Sequence, residues 1–230
     1  MANKTLTQTM QKERLFFNKV YGWMSFALFI TGFSSFYVIS SKTLLQALYG
    51  NPFLLFGLIL LELGTVFYLS SNIQKMSLQT ARITFIAYSI LNGVTLSGLF
   101  MVYTGASVTM AFLITALTFS FMSIYGYTTQ TDLTDMGKLM FVGLIGIVIA
   151  SVINIFAQSS VLYWAISYIG VIVFIGLTAY DTQKIKQMMH QIVGDEDTYQ
   201  KYAILGALTL YLDFINLFIM ILRIVGNRRD

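Results

Sequence analysis

The stretch LTLYLDFINLFIMILRIVG, residues 208 to 226, decides the fold. It is largely apolar and about as long as a helix must be to cross the hydrocarbon core of a bilayer. Asp213 stands near the middle of the apolar run 203–224 to which the stretch belongs, about 15 Å from either boundary of that run at 1.5 Å per residue, and Asn216 follows one turn later. An ionisable group at that depth is costly to bury, and where one occurs it faces the interior of a helix bundle. The stretch therefore predicts a membrane span packed among other spans, with a partner for its carboxyl.

The rest of the chain supplies those other spans. Of 230 residues, 57% are hydrophobic and only 10% are charged, against about 25% charged in a typical soluble domain. Seven stretches are long and apolar enough to cross, roughly 21–40, 53–71, 83–103, 107–126, 139–157, 161–181 and 203–224. Irregular backbone cannot face lipid, so each should be helical. The fold class is an all-α polytopic membrane protein. Residues 1–20 read as a cytoplasmic N-terminal tail, 21–226 as a single seven-helix domain and 227–230 as a short C-terminal tail. The first segment, MANKTLTQTMQKERLFFNKV, is too long and mixed for a signal peptide. The lack of cysteine excludes disulfides and thiolate metal or redox sites. The net charge of +4 is scattered, which excludes a nucleic-acid partner and leaves the lipid bilayer as the first one.

Lys and Arg set the orientation. With the N-terminus inside, ten of them (Lys4, Lys12, Arg14, Lys19, Lys75, Arg82, Lys138, Lys184, Lys186 and Lys201) are cytoplasmic. Four (Lys42, Arg223, Arg228 and Arg229) lie on the other side. The three C-terminal arginines run against the rule. A re-entrant last segment would return them to the cytoplasm, but the length of 203–224 and its lack of proline favour a full crossing. No organelle-targeting signal is visible, and the short loops suit a bacterial plasma membrane.

Three acidic residues fall in or beside spans: Glu62 in span two, Asp181 at the end of span six and Asp213 in span seven. Taken alone, Asp181 also reads as an interfacial helix-end residue, since Lys184 and Lys186 follow it. Gly206, Thr209, Asp213, Asn216 and Met220 are spaced 3, 4, 3 and 4, one helix face of small and polar residues. Phe174, Thr178 and Asp181 form a comparable stripe on span six. If Asp181 and Asp213 meet, two carboxylates about 3 Å apart in a low dielectric cannot both ionise cheaply. They share a proton and titrate as a pair. Once deprotonated, their hard oxygens also attract Ca²⁺. A pair that meets in this way can serve both as a proton sensor and as a transient calcium site.

GLTAYDTQKIK (176–186) and GALTLYLDFINLFIMILRIVG (206–226) resemble the signature of the Bax inhibitor-1, or transmembrane Bax inhibitor motif, family, and YGYTTQTDLTDMG (125–137) resembles its loop between spans four and five. The resemblance runs from the basic N-terminus to the basic C-terminus. It implies seven helices with the last central and ringed by the other six. It implies a pH-sensitive calcium leak channel of the bacterial inner membrane, with calcium as the permeant ion and no cofactor. The family's gating aspartates match Asp181 and Asp213, and its acidic residue in span two matches Glu62. Glu62, Asn216, Thr178 and Thr209 are then candidates to line or support the ion path. In relatives a basic residue near the end of span two latches the span-six aspartate. Here the nearest cations are Lys75 and Arg82, and Lys75 lacks an arginine's bidentate fork.

Two other functions compete. An intramembrane aspartyl protease also pairs aspartates on two spans, but such enzymes carry Gly-x-Gly-Asp at the second one, where this chain has Leu210, Tyr211 and Leu212 before Asp213. An interaction protein that modulates a membrane-bound AAA protease or a stress response would use residues 1–19, and this is compatible with conduction. His190 reads as a solvated loop residue and GDED (194–197) as a solvated acidic turn rather than an EF-hand. Trp23 and Trp164 read as interfacial anchors.

Overall fold

The structure is a computed structural model that describes residues 2–192 and 194–229, with side chains from Met10 onward. Eight α-helices account for nearly all of it: α1 (Ala2–Ser40), α2 (Lys42–Tyr49), α3 (Pro52–Asn72), α4 (Leu78–Val102), α5 (Gly105–Thr128), α6 (Thr134–Ala157), α7 (Ser160–Gln191) and α8 (Glu196–Val225). All but α2 are long and apolar enough to cross a membrane. Seven crossing helices are what the sequence predicts.

Local chemistry sets the boundaries. Pro52 sits at the start of α3, where its missing N–H costs nothing, and the Asn51 side chain accepts from the Phe53 and Leu54 amides. Thr104 caps α5 by accepting from Ser107 N at 3.3 Å. At the end of α6 Gln158 turns left-handed (φ 47°), and the Asn154 side chain accepts from Ser159 N. In the loop before α6, the hydroxyl and amide of Thr134 both donate to Asp132 and hold its carboxyl below its ordinary range. The Thr198 amide and side chain do the same for Asp195 ahead of α8.

The chain divides into two compact units. One comprises residues 1–102 and 188–211, the other residues 103–187 and 212–230. In the first, α1 packs chiefly on α4, which also receives α3. The contact is close because Gly93 has no side chain: a Cβ there would fall 2.4 Å from the Thr31 carbonyl oxygen. In the second, glycines again admit neighbours, with Met140 on Gly176 and Met220 on Gly170.

Several expectations change. No tail ends near residue 20: α1 is one helix from Ala2 to Ser40, and Phe16, Phe17 and Val20 are already buried. Phe16 packs on Tyr199 at 5.0 Å, and Lys19 pairs with Glu196. His190 is not in a loop but in the last turn of α7, with Nε2 2.9 Å from a Glu13 carboxylate oxygen. The charged residues after Asp181 are good helix formers, so α7 continues past the apolar run. The GDED run is not simply solvated, since Asp195 caps α8 and Glu196 pairs with Lys19. A re-entrant last segment is excluded by geometry: α8 is unbroken over 30 residues, a rise of about 45 Å.

Candidate functional site: a carboxyl pair between α7 and α8

In the second unit, α7 and α8 bring Asp181 and Asp213 together, their side chains within hydrogen-bonding reach of each other. Asp213 is 5% exposed, and its Oδ2 has no hydrogen-bond partner among the described residues. Asp181 is half-buried.

The segment of α7 around Asp181 is fixed from several directions. On the preceding turn, Ala179 lies against Gly126 of α5, where a Cβ would stand 2.1 Å from the Ala179 carbonyl oxygen. The Tyr180 ring covers Gly137 of α6. The Thr182 and Ser123 hydroxyls are 3.0 Å apart. Gln183 accepts from Leu133 N at 2.9 Å and donates to Thr131 O at 2.8 Å, and Lys186 donates to Tyr127 O. These bonds tie the loop between α5 and α6 to the turn that carries Asp181. Beside Asp213, Phe214 packs edge-on against Phe112 and Phe119, with ring centres 5.5 and 5.4 Å apart.

The other expected site residues do not join this pair. Thr178 is fully buried and donates to Phe174 O. Thr209 donates to Leu205 O and Asn216 to Leu212 O. Each is satisfied by its own helix, as hydroxyls and amides within helices often are. Nor is the face from Gly206 to Met220 the only buried one. Leu210 and Leu217 are fully buried as well, and the less buried stripe contains Thr209 and Asn216. Lys75 is exposed in the turn after α3. Arg82 donates to Gln200 and lies 6.0 Å from the Trp23 ring centre. Among the described residues, no group of three or more His, Cys, Asp or Glu could hold a metal ion.

Glu62 belongs to a separate network in the first unit. It accepts from Thr95 Oγ1 at 2.6 Å. One turn earlier on α4, Asn92 accepts from the Tyr211 hydroxyl at 3.0 Å, and that hydroxyl is 2.6 Å from Thr31 Oγ1. Sequence reasoning missed Asn92, Thr95 and Tyr211. The available signal was the spacing of Tyr88, Asn92 and Thr95, polar groups 4 and 3 residues apart within a span. Tyr211→Phe leaves the Asn92 oxygen without this donor, and burying such a group unpaired costs about 1–3 kcal/mol. The variant is expected to fold but to unfold at a lower temperature in detergent, and an unchanged midpoint would count against the bond.

These features define an all-helical, multi-pass membrane protein with a carboxyl pair between α7 and α8. A family model described as inhibitor of apoptosis-promoting Bax1 matches residues 13–230. The chain belongs to this Bax inhibitor-1 family. It is 52% identical to the inner membrane protein YbhL of Escherichia coli K12 over 212 residues, 92% of this chain and 91% of the relative. It is 44% identical to an uncharacterized protein of Rickettsia prowazekii (99% and 98% covered) and 43% identical to one of Borreliella burgdorferi (98% and 98% covered).

Proposed function

We propose that the protein is a calcium leak channel of a bacterial inner membrane, gated by the proton shared between Asp181 and Asp213. The observation that supports this most is the meeting of two carboxyl groups on crossing helices, one of them almost fully enclosed with an oxygen unpartnered. With one proton, the pair is an O–H···O bond that draws α7 and α8 together. Without it, two negative charges share a low-dielectric site and repel. The gate therefore opens as pH rises. Calcium takes six to eight oxygens, more than two carboxyls provide. Such a site holds calcium briefly, which suits a permeant ion rather than a resident one.

An intramembrane protease is a poorer reading, because Leu210 and Tyr211 ahead of Asp213 are fully buried and crowd any peptide approach. The interaction-partner reading attaches to the start of α1, where Met10, Lys12, Arg14 and Leu15 are exposed. It is compatible with conduction. The deciding measurement is calcium entry into liposomes containing the purified protein and an internal indicator. Entry above that of empty liposomes and rising with pH is expected. Entry equal to that of empty liposomes at every pH would overturn the channel.

The orientation is proposed from the ten Lys and Arg at the N-terminal side of the crossings. A reporter at the C-terminus is expected to read as extracytoplasmic, and one in the α3–α4 turn as cytoplasmic. A cytoplasmic C-terminus would reverse the assignment.

A further inference from the structure

In the second unit, at the opposite end of α7 from Gln183, a cleft of about 550 Å³ opens where α6 and α8 end and α7 begins. Its lining includes Asn154, Tyr163, Trp164, Arg223 and Arg228, and among the described lining residues none is acidic. Both guanidinium groups lie over the same ring, Tyr163, at 5.5 and 5.6 Å from its centre. The Tyr163 hydroxyl is 3.1 Å from that of Tyr103. The segment carrying Arg228 is held in place: Asn227 N donates to Ser107 Oγ at 2.9 Å, and Thr104 N donates to Asn227 O at 3.2 Å.

We infer that this cleft binds the phosphate of an anionic phospholipid headgroup. Both guanidinium groups lie against one ring, and although Arg228 also donates to the Tyr163 and Tyr103 hydroxyls, each has five N–H donors, so donors remain for an anion, and a planar fork matches phosphate oxygens two at a time. Placing two cations together with no carboxylate among the described lining residues leaves a local positive charge that an anion relieves. Ser160, the first residue of α7, also lines the cleft, and the start of a helix favours an anion.

A lipid, rather than a soluble anion, is indicated by what flanks the cleft. It lies at the ends of membrane-crossing helices. Phe156 and Val161, on either side of the α6–α7 connection, are 83% and 78% exposed. Acyl chains can lie on them while the headgroup sits in the cleft. Trp164, half-exposed and stacked on Tyr168 at 5.9 Å, stands near the start of a crossing helix, a position that aromatic residues favour because they settle between headgroups and tails.

The test is native mass spectrometry of the detergent-solubilised full chain, titrated with phosphatidylglycerol, phosphatidylcholine or inorganic phosphate. Arg223→Gln, Arg228→Gln and the double variant are compared with the parent, and circular dichroism confirms their folding. Phosphatidylglycerol is expected to be retained over phosphatidylcholine, several-fold more weakly by each single variant and at least about tenfold more weakly by the double one. Because Arg228 is exposed, its variant remains informative if Arg223→Gln unfolds. Phosphate binding that the double variant loses, without a preference between lipids, would keep the anion site but overturn the lipid as its source. Equal retention of both lipids without phosphate binding, or phosphatidylglycerol retention unchanged in a folded double variant, overturns the site.

Discussion

Asp213→Asn is expected to fold, to reach the membrane and to lose most of the pH dependence of calcium flux. The amide keeps the size of the carboxyl and can still hydrogen-bond Asp181, so the packing of Phe214 against Phe112 and Phe119 is undisturbed. What disappears is the second ionisable member of the pair. In the parent, removing the shared proton creates like charges at short range. In the variant, Asp181 ionises beside a neutral partner and there is no repulsion to open the gate. Asp181→Asn should have the same effect, and the double variant should add little, because residues that act as one unit are not additive. Flux measured in liposomes across the neutral range checks this. Wild-type pH dependence in both single variants would make Asp213 a packing residue and remove the gate from this pair.

Gly126→Ala is expected to be among the most destabilising single-methyl changes in the protein. The added Cβ would stand 2.1 Å from the Ala179 carbonyl oxygen and 2.9 Å from its Cα, and backbone cannot swing aside as a flexible side chain can. Overpacking of this kind costs about 1–3 kcal/mol, occasionally more. The damage falls two residues before Asp181, so a variant that survives should also displace the pair. Thermal unfolding in detergent checks the first effect and the pH profile of flux the second. Gly146→Ala is the control, since nothing lies within 4 Å of the position where its Cβ would stand. Equal unfolding temperatures for the two variants would contradict the close contact.

The crossing helices were legible because the bilayer imposes a length and a polarity on each, and Asp213 was legible because it breaks that polarity. The link from Asp181 to Asp213 came from their placement on two stripes and from the family motif, and the two carboxyls do meet. The reading failed where polarity no longer reports depth. Residues 182–191 carry Lys184, Lys186 and His190 yet remain helical, so the end of the apolar run is not the end of the helix and His190 lies in its last turn rather than in a loop. Likewise the polar N-terminal sequence concealed the buried Phe16 and Val20. Thr209 and Asn216 are site candidates by periodicity together with the family resemblance. Periodicity cannot reveal that a side chain will turn back to the carbonyl four residues earlier. Tyr211 was counted only as bulk, because its hydroxyl finds Thr31 and Asn92 far away in the chain.

The burial of α8 also bears on how the protein is made. A carboxyl at the centre of a lone helix opposes entry into the bilayer by about 3 kcal/mol. Yet 72% of the most apolar window of α8 is enclosed by protein, more than for any other crossing helix described. The other crossing helices, including the one carrying Asp181, all precede it in the chain. During synthesis they enter the membrane first, so Asp213 meets a prepared protein surface rather than lipid. Chain order thus spares the insertion machinery a step that would be unfavourable if α8 came early.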